Sequence, residues 1–207
     1  MTGPAERTTM TAYPATALLP LQRFEVLRLE ELGSGPHVVL ESCSALNDGE
    51  SLLVGATVTS QLLTRGLHRP ASARGLPFRM DVGGSGTFVL MDGFRRRCLM
   101  QLRSGESVLL ADRSGRVRTV VVGRIRQERQ PLVRIHARAP SGQTAEAVVR
   151  LADDVYLLGD NDECLSTAQL TPGAPVLGHL PGAGWLDCRQ RALKRTLSPL
   201  PDDAMPL

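Results

Sequence analysis

Short apolar runs separated by glycine-containing turns limit this chain to a fold built mainly from β-strands. The runs recur about every ten to fifteen residues and are only a few residues long, which is typical of strands. Two of the turns, Asp112–Gly115 and Pro140–Gly142, place glycine where a hairpin needs a positive φ. The strands are predicted over Val26–Leu29, Val38–Leu40, Ser51–Val54, Thr87–Met91, Val108–Ala111, Val117–Val122, Leu132–Ala137, Ala147–Leu151 and Val155–Leu158.

Three segments share a glycine turn that leads into an apolar strand. Asn47–Val54 is similar to Arg103–Leu110, and Thr171–Gly178 follows the same form more loosely. The spacings between the copies are too long and too unequal for a solenoid, so duplication within one sheet system is the better interpretation. We therefore expect a mainly β fold, a small closed or partly closed β-barrel or sandwich with internal duplication and few short helices. The two segments expected to be helical are Ser60–Arg65 and Asp187–Leu197.

The 207 residues are sufficient for one large domain with a buried core. Residues 1–20 show no sustained period and are expected to form a flexible N-terminal arm. Residues 21–198 are expected to form the β-rich domain, and residues 199–207 a flexible tail. The first residues lack the layout of a secretory signal, and no apolar run approaches the ~20 residues that span a bilayer. We therefore expect a cytoplasmic protein that does not contact membranes.

The basic residues are almost all arginines, a composition that favours small anionic ligands. Lys194 is the only lysine, and the formal net charge is +3. Arginine stays protonated and binds carboxylates or phosphates through a bidentate fork. Aromatic residues make up only 3% of the chain, which leaves few stacking platforms for nucleic acid, and the net charge is a weak electrostatic footprint. The sequence therefore predicts a small anionic metabolite as the partner and no nucleic acid.

The cysteines, histidines and adjacent aspartates of this sequence do not occur at the spacings of known catalytic or metal-binding motifs. The cysteines form no Cys-x-x-Cys pair, and the four histidines are too scattered to predict a metal site, so none is expected. The run Gly83–Gly86 could bring backbone amides to a phosphate, but it completes no known nucleotide motif, and a turn between strands is the simpler interpretation. Asp153 and Asp154 are adjacent and would lie on opposite faces of a strand. No nucleophile motif supports acyl transfer.

The segment Gly123–Pro131 alternates charged and neutral residues between two predicted strands. On an extended strand, Arg124, Arg126 and Glu128 would share one face. A solvated ladder of cross-strand charges is the default interpretation of such a face. A wall that binds anions is the alternative.

Four motifs occur in an order that resembles one enzyme family. Glu41–Leu46 is followed by Gly49–Gly55, Pro77–Gly83 and Gly123–Leu132. These segments are similar to the Asp-Thr-Cys-Ser-Leu-Leu, Gly-Glu-Gly-Met-Leu-Val-Gly, Pro-Phe-Arg-Val-Asn-Ala-Gly and Gly-Arg-Val-Lys-Ile-Glu-Arg-Arg-Pro-Leu motifs of the archaeal-type, or type II, 3-dehydroquinate synthases and the related 3-amino-4-hydroxybenzoate synthases. The resemblance spans Phe24–Asp187 and corresponds to the family's C-terminal domain. The chain is therefore expected to be a divergent form that lacks the N-terminal domain.

The resemblance implies ring closure of a linear amino-keto acid. One branch of the family uses NAD for an oxidative deamination, and the other uses a divalent metal such as manganese. The cofactor therefore stays open, because the motifs for neither group are complete in this sequence. The residues that match the family's polar positions are three carboxylates expected to be catalytic, Glu41, Glu128 and Asp153, and three guanidinium groups expected to bind the substrate, Arg79, Arg124 and Arg129.

Three functions are compatible with these residues. The first is a stand-alone cyclase or lyase of specialised metabolism that acts on a small anionic keto or amino-keto precursor. The second is a non-catalytic module that completes or stabilises a separate protein carrying the N-terminal domain. The third is an anion-binding or homo-oligomeric scaffold that has lost the chemistry.

Overall fold

The computed structural model describes residues 18–47, 49–57, 59–66, 77–161 and 163–180, and these residues form an almost entirely β fold. No helix within these ranges has the length and apolar character needed to cross a membrane. The elements, in chain order, are β1 (Leu21–Ser42), β2 (Ser51–Gly55), β3 (Gln61–Gly66), β4 (Arg79–Gly84), β5 (Phe88–Leu90), a 3-10 turn (Asp92–Phe94), β6 (Arg96–Cys98), a second 3-10 turn (Leu99–Gln101), β7 (Ser107–Ala111), β8 (Val117–Arg138), β9 (Thr144–Arg150), β10 (Val155–Leu158), β11 (Cys164–Ser166) and β12 (Pro175–His179).

The strands form one sheet that closes partly into a ring. Six strands, β3, β12, β1, β8, β7 and β2, pair in that order, and β2 pairs back with β3. β10 and β11 continue the sheet from β3, β5 and β6 continue it from β2, and β4 and β9 pair with β1 and β8. The prediction of a mainly β, partly closed fold with few helices is confirmed.

Two 22-residue strands, β1 and β8, form the antiparallel ribbon on which the molecule is built. The ladder between them shifts register at Leu27, Leu32 and Gly123. Each shift is a β-bulge, which bends the strand and changes the face to which the following side chains point. One end of the ribbon is flanked by β12 and β9, and the other end by β4 and β7. The ribbon therefore carries a four-stranded arm at each end.

The core is divided into three apolar clusters. One cluster lies at the end flanked by β12 and β9, and a second lies at the end flanked by β4 and β7. The third receives side chains from all six strands of the ring, so it fills the interior of the ring. Representative buried side chains of the three clusters are, in order, Phe24, Ile135 and Val176; Leu40, Met80 and Leu110; and Leu53, Leu63 and Leu109.

The repeated segments have the same turn geometry. Gly49, Gly105 and Gly173 all have φ between 80° and 90°, the left-handed conformation that glycine adopts without strain. In the first two copies, a glutamate one residue after the glycine accepts a hydrogen bond from the backbone N–H three residues before it, with Glu50 bonded to Asn47 and Glu106 to Arg103, both at 2.8 Å. β2 and β7, which follow these turns, pair with each other. The duplication is therefore visible in the turns as well as in the strands.

The predicted helix Ser60–Arg65 is wrong, because Gln61–Gly66 is strand β3. This segment pairs with β2, β10 and β12, and its side chains from Gln61 to Thr64 are fully buried. Burial on both faces gives a continuous apolar run whose period does not distinguish a strand from a helix. The second predicted helix, Asp187–Leu197, lies outside the described residues.

The predicted domain boundaries fall mostly outside the described residues and stay predictions. Of the arm expected over residues 1–20, the structure describes Leu18, Leu19 and Pro20. The Leu19 side chain is buried in the third cluster, and its N–H donates a hydrogen bond to the carbonyl of Gly115.

Candidate functional site

A charged face forms where β4, β1 and β8 lie side by side. Arg79 of β4 is in register with Glu41 of β1, and Glu41 is in register with Arg124 of β8. Glu128 lies further along β8, opposite His37. Side chains two residues apart on a regular strand share a face, so the structure brings together four of the six residues proposed from the sequence. We call the surface formed by Glu41, Arg79, Arg124, Arg126 and Glu128 the charged face.

The bulge at Gly123 determines which way Arg124 points. Val120 and Val122 are buried, and strict alternation would place Arg124 on the same inward side. Because Gly123 is the extra residue in the ladder, Arg124 is exposed and Ile125 turns inward against the second cluster. Gly123 itself lies close to Glu41: a Cβ there would be 3.2 Å from the carbonyl oxygen of Glu41 and from Sγ of Cys43.

Most of the charges on this face are paired. The Nη2 of Arg79 donates to Oε1 of Glu128 at 3.0 Å, and Nε of Arg126 lies 3.4 Å from Oε1 of Glu41. All four side chains are partly exposed. Arg124 forms no ion pair or hydrogen bond with another residue in the described part of the chain, so among the arginines of the charged face its guanidinium is the one most available to an added anion.

A buried network lies beside the charged face. Asp81, only 2% exposed, accepts a hydrogen bond from Nη2 of Arg150 at 2.9 Å, and its other oxygen lies 3.5 Å from Nε2 of the fully buried His37. Arg150 also donates to Asp154 at 2.6 Å. Burial disfavours the charge of Arg150, but the hydrogen bonds and charges of Asp154 and Asp81 outweigh it and hold the pKa of Arg150 above its ordinary value. This network ties β4 to β9 and to the turn that follows β9.

The network was missed in the sequence, although one signal for it was present. Asp81 is two residues after Arg79 in an apolar strand, a spacing that places both on one face. His37 and Arg150 carry no such signal, because the contacts that unite them with Asp81 join residues far apart in the chain.

Two predicted site residues lie away from the charged face. Arg129 is opposite Pro36, and alternation places it on the other face of β8 from Glu128. Its guanidinium donates to the carbonyl of Ser34 at 2.8 Å. Asp153 lies in the exposed turn after β9, and it is the neighbouring Asp154 that pairs with Arg150. The catalytic and binding roles given to these residues stay predictions.

The described residues contain no donor set that fits a metal ion. No group of three His, Cys, Asp or Glu side chains within the described ranges could hold a metal ion. His136 lies between Glu146 at Nδ1 (3.1 Å) and Glu30 at Nε2 (3.5 Å), but these two nitrogens point away from each other and cannot share one ion.

Gly83, Gly84 and Ser85 are packed rather than open to a phosphate, and only Gly86 of this run is exposed. A Cβ on Gly83 or Gly84 would meet atoms of Val148 at 2.6 and 2.8 Å, and the N–H of Ser85 donates to the carbonyl of Pro36. The turn interpretation agrees with these contacts. The chemistry proposed below assigns no step to NAD or a metal.

Comparison with known proteins agrees with the sequence motifs. Residues 23–185 match the family model for the 3-dehydroquinate synthase II C-terminal domain. Among curated relatives, the 3-dehydroquinate synthase of Methanoculleus marisnigri is 36% identical over 87% of this chain and 56% of its own length. Those of Methanopyrus kandleri and Methanocaldococcus jannaschii are each 32% identical, over 77% and 73% of this chain and 41% and 42% of their own lengths.

The chain spans about half the length of the curated relatives that it matches. No solved structure gives a significant match. The family match covers most of the chain, including every strand of the charged face. The chain belongs to the type II 3-dehydroquinate synthase family and corresponds to its C-terminal domain.

Proposed function

We propose that this chain acts in a ring-forming reaction, as a cyclase or lyase of specialised metabolism on a small anionic keto or amino-keto precursor. The observation that carries the proposal is Arg124, a guanidinium without an ion-pair partner among the described residues, in register with the carboxylate of Glu41. The family supports the same reaction class, because the curated relatives are named 3-dehydroquinate synthase.

The proposed roles follow from the positions of the side chains. Arg124 binds a carboxylate of the precursor through its guanidinium fork. Glu41, in the neighbouring strand, then lies beside the bound molecule and takes or returns the proton at the carbon next to the carbonyl group. Glu128 is the second candidate for this proton transfer, with Arg79 as its partner. General acid–base catalysis by a well-placed carboxylate contributes roughly 10²- to 10⁴-fold to a rate.

Replacement of Arg124 by lysine tests the binding role. Lysine keeps the positive charge but loses the bidentate fork, so we expect the affinity for a small keto acid such as pyruvate to fall about tenfold or more. Calorimetric titration of the full chain measures this change. Arg129→Lys is the matched control, because Arg129 lies on the opposite face of β8, and it should bind pyruvate like the original chain. Equal affinity in all three proteins would contradict the proposal.

A second candidate function is a module that completes a separate protein carrying the N-terminal domain. The observation that favours it is the length, since the chain spans about half of the curated relatives. In this case the charged face forms one wall of a site, and the other wall comes from the partner.

Turnover assays separate these candidates. The full chain is incubated with a linear amino-keto acid, alone and with the separately expressed N-terminal half of the Methanoculleus marisnigri relative. Turnover by the chain alone supports the stand-alone enzyme. Turnover only in the mixture, together with a stable complex in size-exclusion chromatography, supports the module. The absence of turnover in both, with pyruvate binding retained, contradicts the catalytic role and leaves anion binding as the function.

A further inference from the structure

A small groove lies on the side of β1 and β8 that faces away from the charged face. Val38 and Ile125 form part of its floor. Because neighbouring side chains of a strand point to opposite sides, Ile125 points away from the side that carries Arg124 and Arg126, and Val38 points away from the side that carries Glu41. Leu99 and Leu102 complete the apolar floor, and Met100, which is 63% exposed, lies at the edge. The volume of about 340 Å³ is within the range of small-molecule sites, ~300–1,000 Å³.

Among the described residues that line this groove, Arg103 is the only charged one. Its Nη1 donates long hydrogen bonds of 3.4 Å to the carbonyls of Met100 and Leu102, which hold the guanidinium at the rim. The nearby carboxylate of Glu106 is already engaged, with Oε2 on the backbone N–H of Arg103 and Oε1 on Nη2 of Arg97 at 2.6 Å. Within the described chain, no carboxylate forms an ion pair with the guanidinium of Arg103.

The internal repeat supplies a comparison for this arginine. In the first copy the equivalent position is Asn47, whose side-chain amide donates to Oε1 of Glu50 at 2.8 Å and so stays within its own turn. Arg103 keeps the backbone bond of the turn to Glu106, but its side chain donates to the carbonyls of Met100 and Leu102 and lies at the rim of the groove. The turn therefore has the same backbone architecture in both copies, and only the second copy places a cation at a groove.

We propose that this groove binds a small carboxylate with an apolar body. The carboxylate accepts hydrogen bonds from Nη2 and Nε of Arg103, and the body packs on Leu99, Leu102 and Ile125. The single positive charge at the rim and the apolar floor together specify this chemistry. The site is separate from the function proposed above, because none of its lining residues belongs to the charged face.

A titration of the full chain with benzoate, followed by amide chemical shifts in NMR spectra, tests this site. We expect saturable shifts centred on residues 99–104 and 125–127, with the millimolar affinity that a small unoptimised ligand reaches in a shallow groove. Benzamide has the same ring but no charge, and it should bind at least tenfold more weakly. Benzoate and benzamide binding equally well would overturn the proposed role of Arg103.

Two variants locate the bound carboxylate. Arg103→Gln should reduce the affinity for benzoate at least tenfold, and Arg103→Lys should reduce it less, because it keeps the charge but loses the fork. Arg28→Gln, at an exposed position of β1 opposite His136 and away from both sites, should leave benzoate binding unchanged. Amide spectra with the dispersion of the original chain confirm that each variant is folded.

Three outcomes would overturn the proposal. These are the absence of saturable shifts, a loss of binding in Arg28→Gln as large as that in Arg103→Gln, and a concentration-dependent self-association that covers the groove residues. A failed pyruvate titration at Arg124 has no bearing on this site, so the two proposals fail independently.

Discussion

Glu50 links the first repeated turn to the long strand β8 through a bidentate ion pair with Arg118. Both oxygens of Glu50 accept hydrogen bonds from Arg118 at 2.5 Å, and Asn47 donates two more. Burial alone raises the pKa of Glu50, but the hydrogen bonds from Arg118 and Asn47 outweigh burial and hold this pKa below its ordinary value. The charged carboxylate therefore stabilises the folded protein.

Replacing Glu50 by glutamine should lower the free energy of unfolding by about 2–3 kcal/mol near neutral pH, because the variant leaves Arg118 without its charged partner. A depressed pKa contributes stability above the unfolded value, near 4.5, and this stability is lost as the pH falls through the folded pKa. The difference between the two proteins should therefore shrink in acid. Urea unfolding between neutral and acidic pH measures it, and a difference that does not change with pH would contradict the role of the charge.

His179 should stabilise the folded protein in its neutral form, whereas Glu50 does so in its charged form. Its ring is almost fully buried, and burial lowers the pKa of His179. The hydrogen bond between Nδ1 and the carbonyl of Pro20 raises this pKa, and the charge of Arg96 lowers it further. The net direction is downward, so the unfolded chain takes up a proton more readily than the folded protein.

The protein should therefore lose stability as the pH falls below about 6.5, the ordinary histidine value. His179→Gln removes this titration. The variant should be less stable at neutral pH, because it disturbs a buried position, but its stability should fall less steeply between pH values of about 7 and 5. Thermal unfolding of both proteins across this interval gives the two slopes, and equal slopes would show that His179 does not cause the acid sensitivity.

At the scale of single elements, the bulges in the β1–β8 ladder explain why the site could be predicted only in part. Alternation in the sequence correctly groups Arg124, Arg126 and Glu128. It does not reveal that Val122 and Ile125, which strict alternation would place on opposite sides of the strand, both point to the core. Nothing in the local sequence distinguishes the glycine of a bulge from the glycine of a turn.

Gly123→Ala tests the importance of this bulge. The new Cβ would lie 3.2 Å from the backbone oxygen of Glu41, so the hydrogen-bonded ladder must shift by a few tenths of an ångström to admit it. We expect a loss of about 1–3 kcal/mol in the free energy of unfolding and weaker pyruvate binding by Arg124. Gly86→Ala is the matched control, because no atom lies within 4 Å of the new Cβ, and it should cost little. Equal stability of the two variants would contradict a tight bulge.

Strand positions were easier to predict than the contacts between strands. Every predicted strand falls on an observed strand, because β-branched runs between glycine turns form a local pattern. Two pairs of predicted strands are, however, joined into the single long strands β1 and β8. β3 is the strand wrongly predicted as a helix, because its side chains Leu62 and Leu63 enter different clusters and so give no alternation of polar and apolar residues. β4, β6 and β11 have no counterpart among the predicted strands. The Asp81–His37–Arg150 network could not be predicted for a different reason, since it depends on the register between β1 and β4 and on the approach of β9.

At the scale of the whole molecule, the ring connects two arms that could otherwise behave as separate units. Each arm has its own apolar cluster at one end of the β1–β8 ribbon. The pairing of β2 with β3 closes the ring, and the third cluster packs side chains from all six ring strands against each other. Unfolding of either arm would expose part of this shared cluster, so we expect one cooperative transition for the described domain.

Leu63→Ala tests this coupling, because Leu63 is fully buried in the third cluster, beside Leu53 and Leu109. The cavity should lower the free energy of unfolding by about 2–5 kcal/mol. If the molecule unfolds as one unit, the slowest-exchanging amides near Ile135 at one end and near Leu40 at the other should lose the same amount of protection. Native-state hydrogen exchange followed by NMR measures both ends in one sample. A loss of protection confined to amides near Leu53, Leu63 and Leu109, with those near Ile135 and Leu40 unchanged, would show that the arms unfold independently and that the ring only joins them.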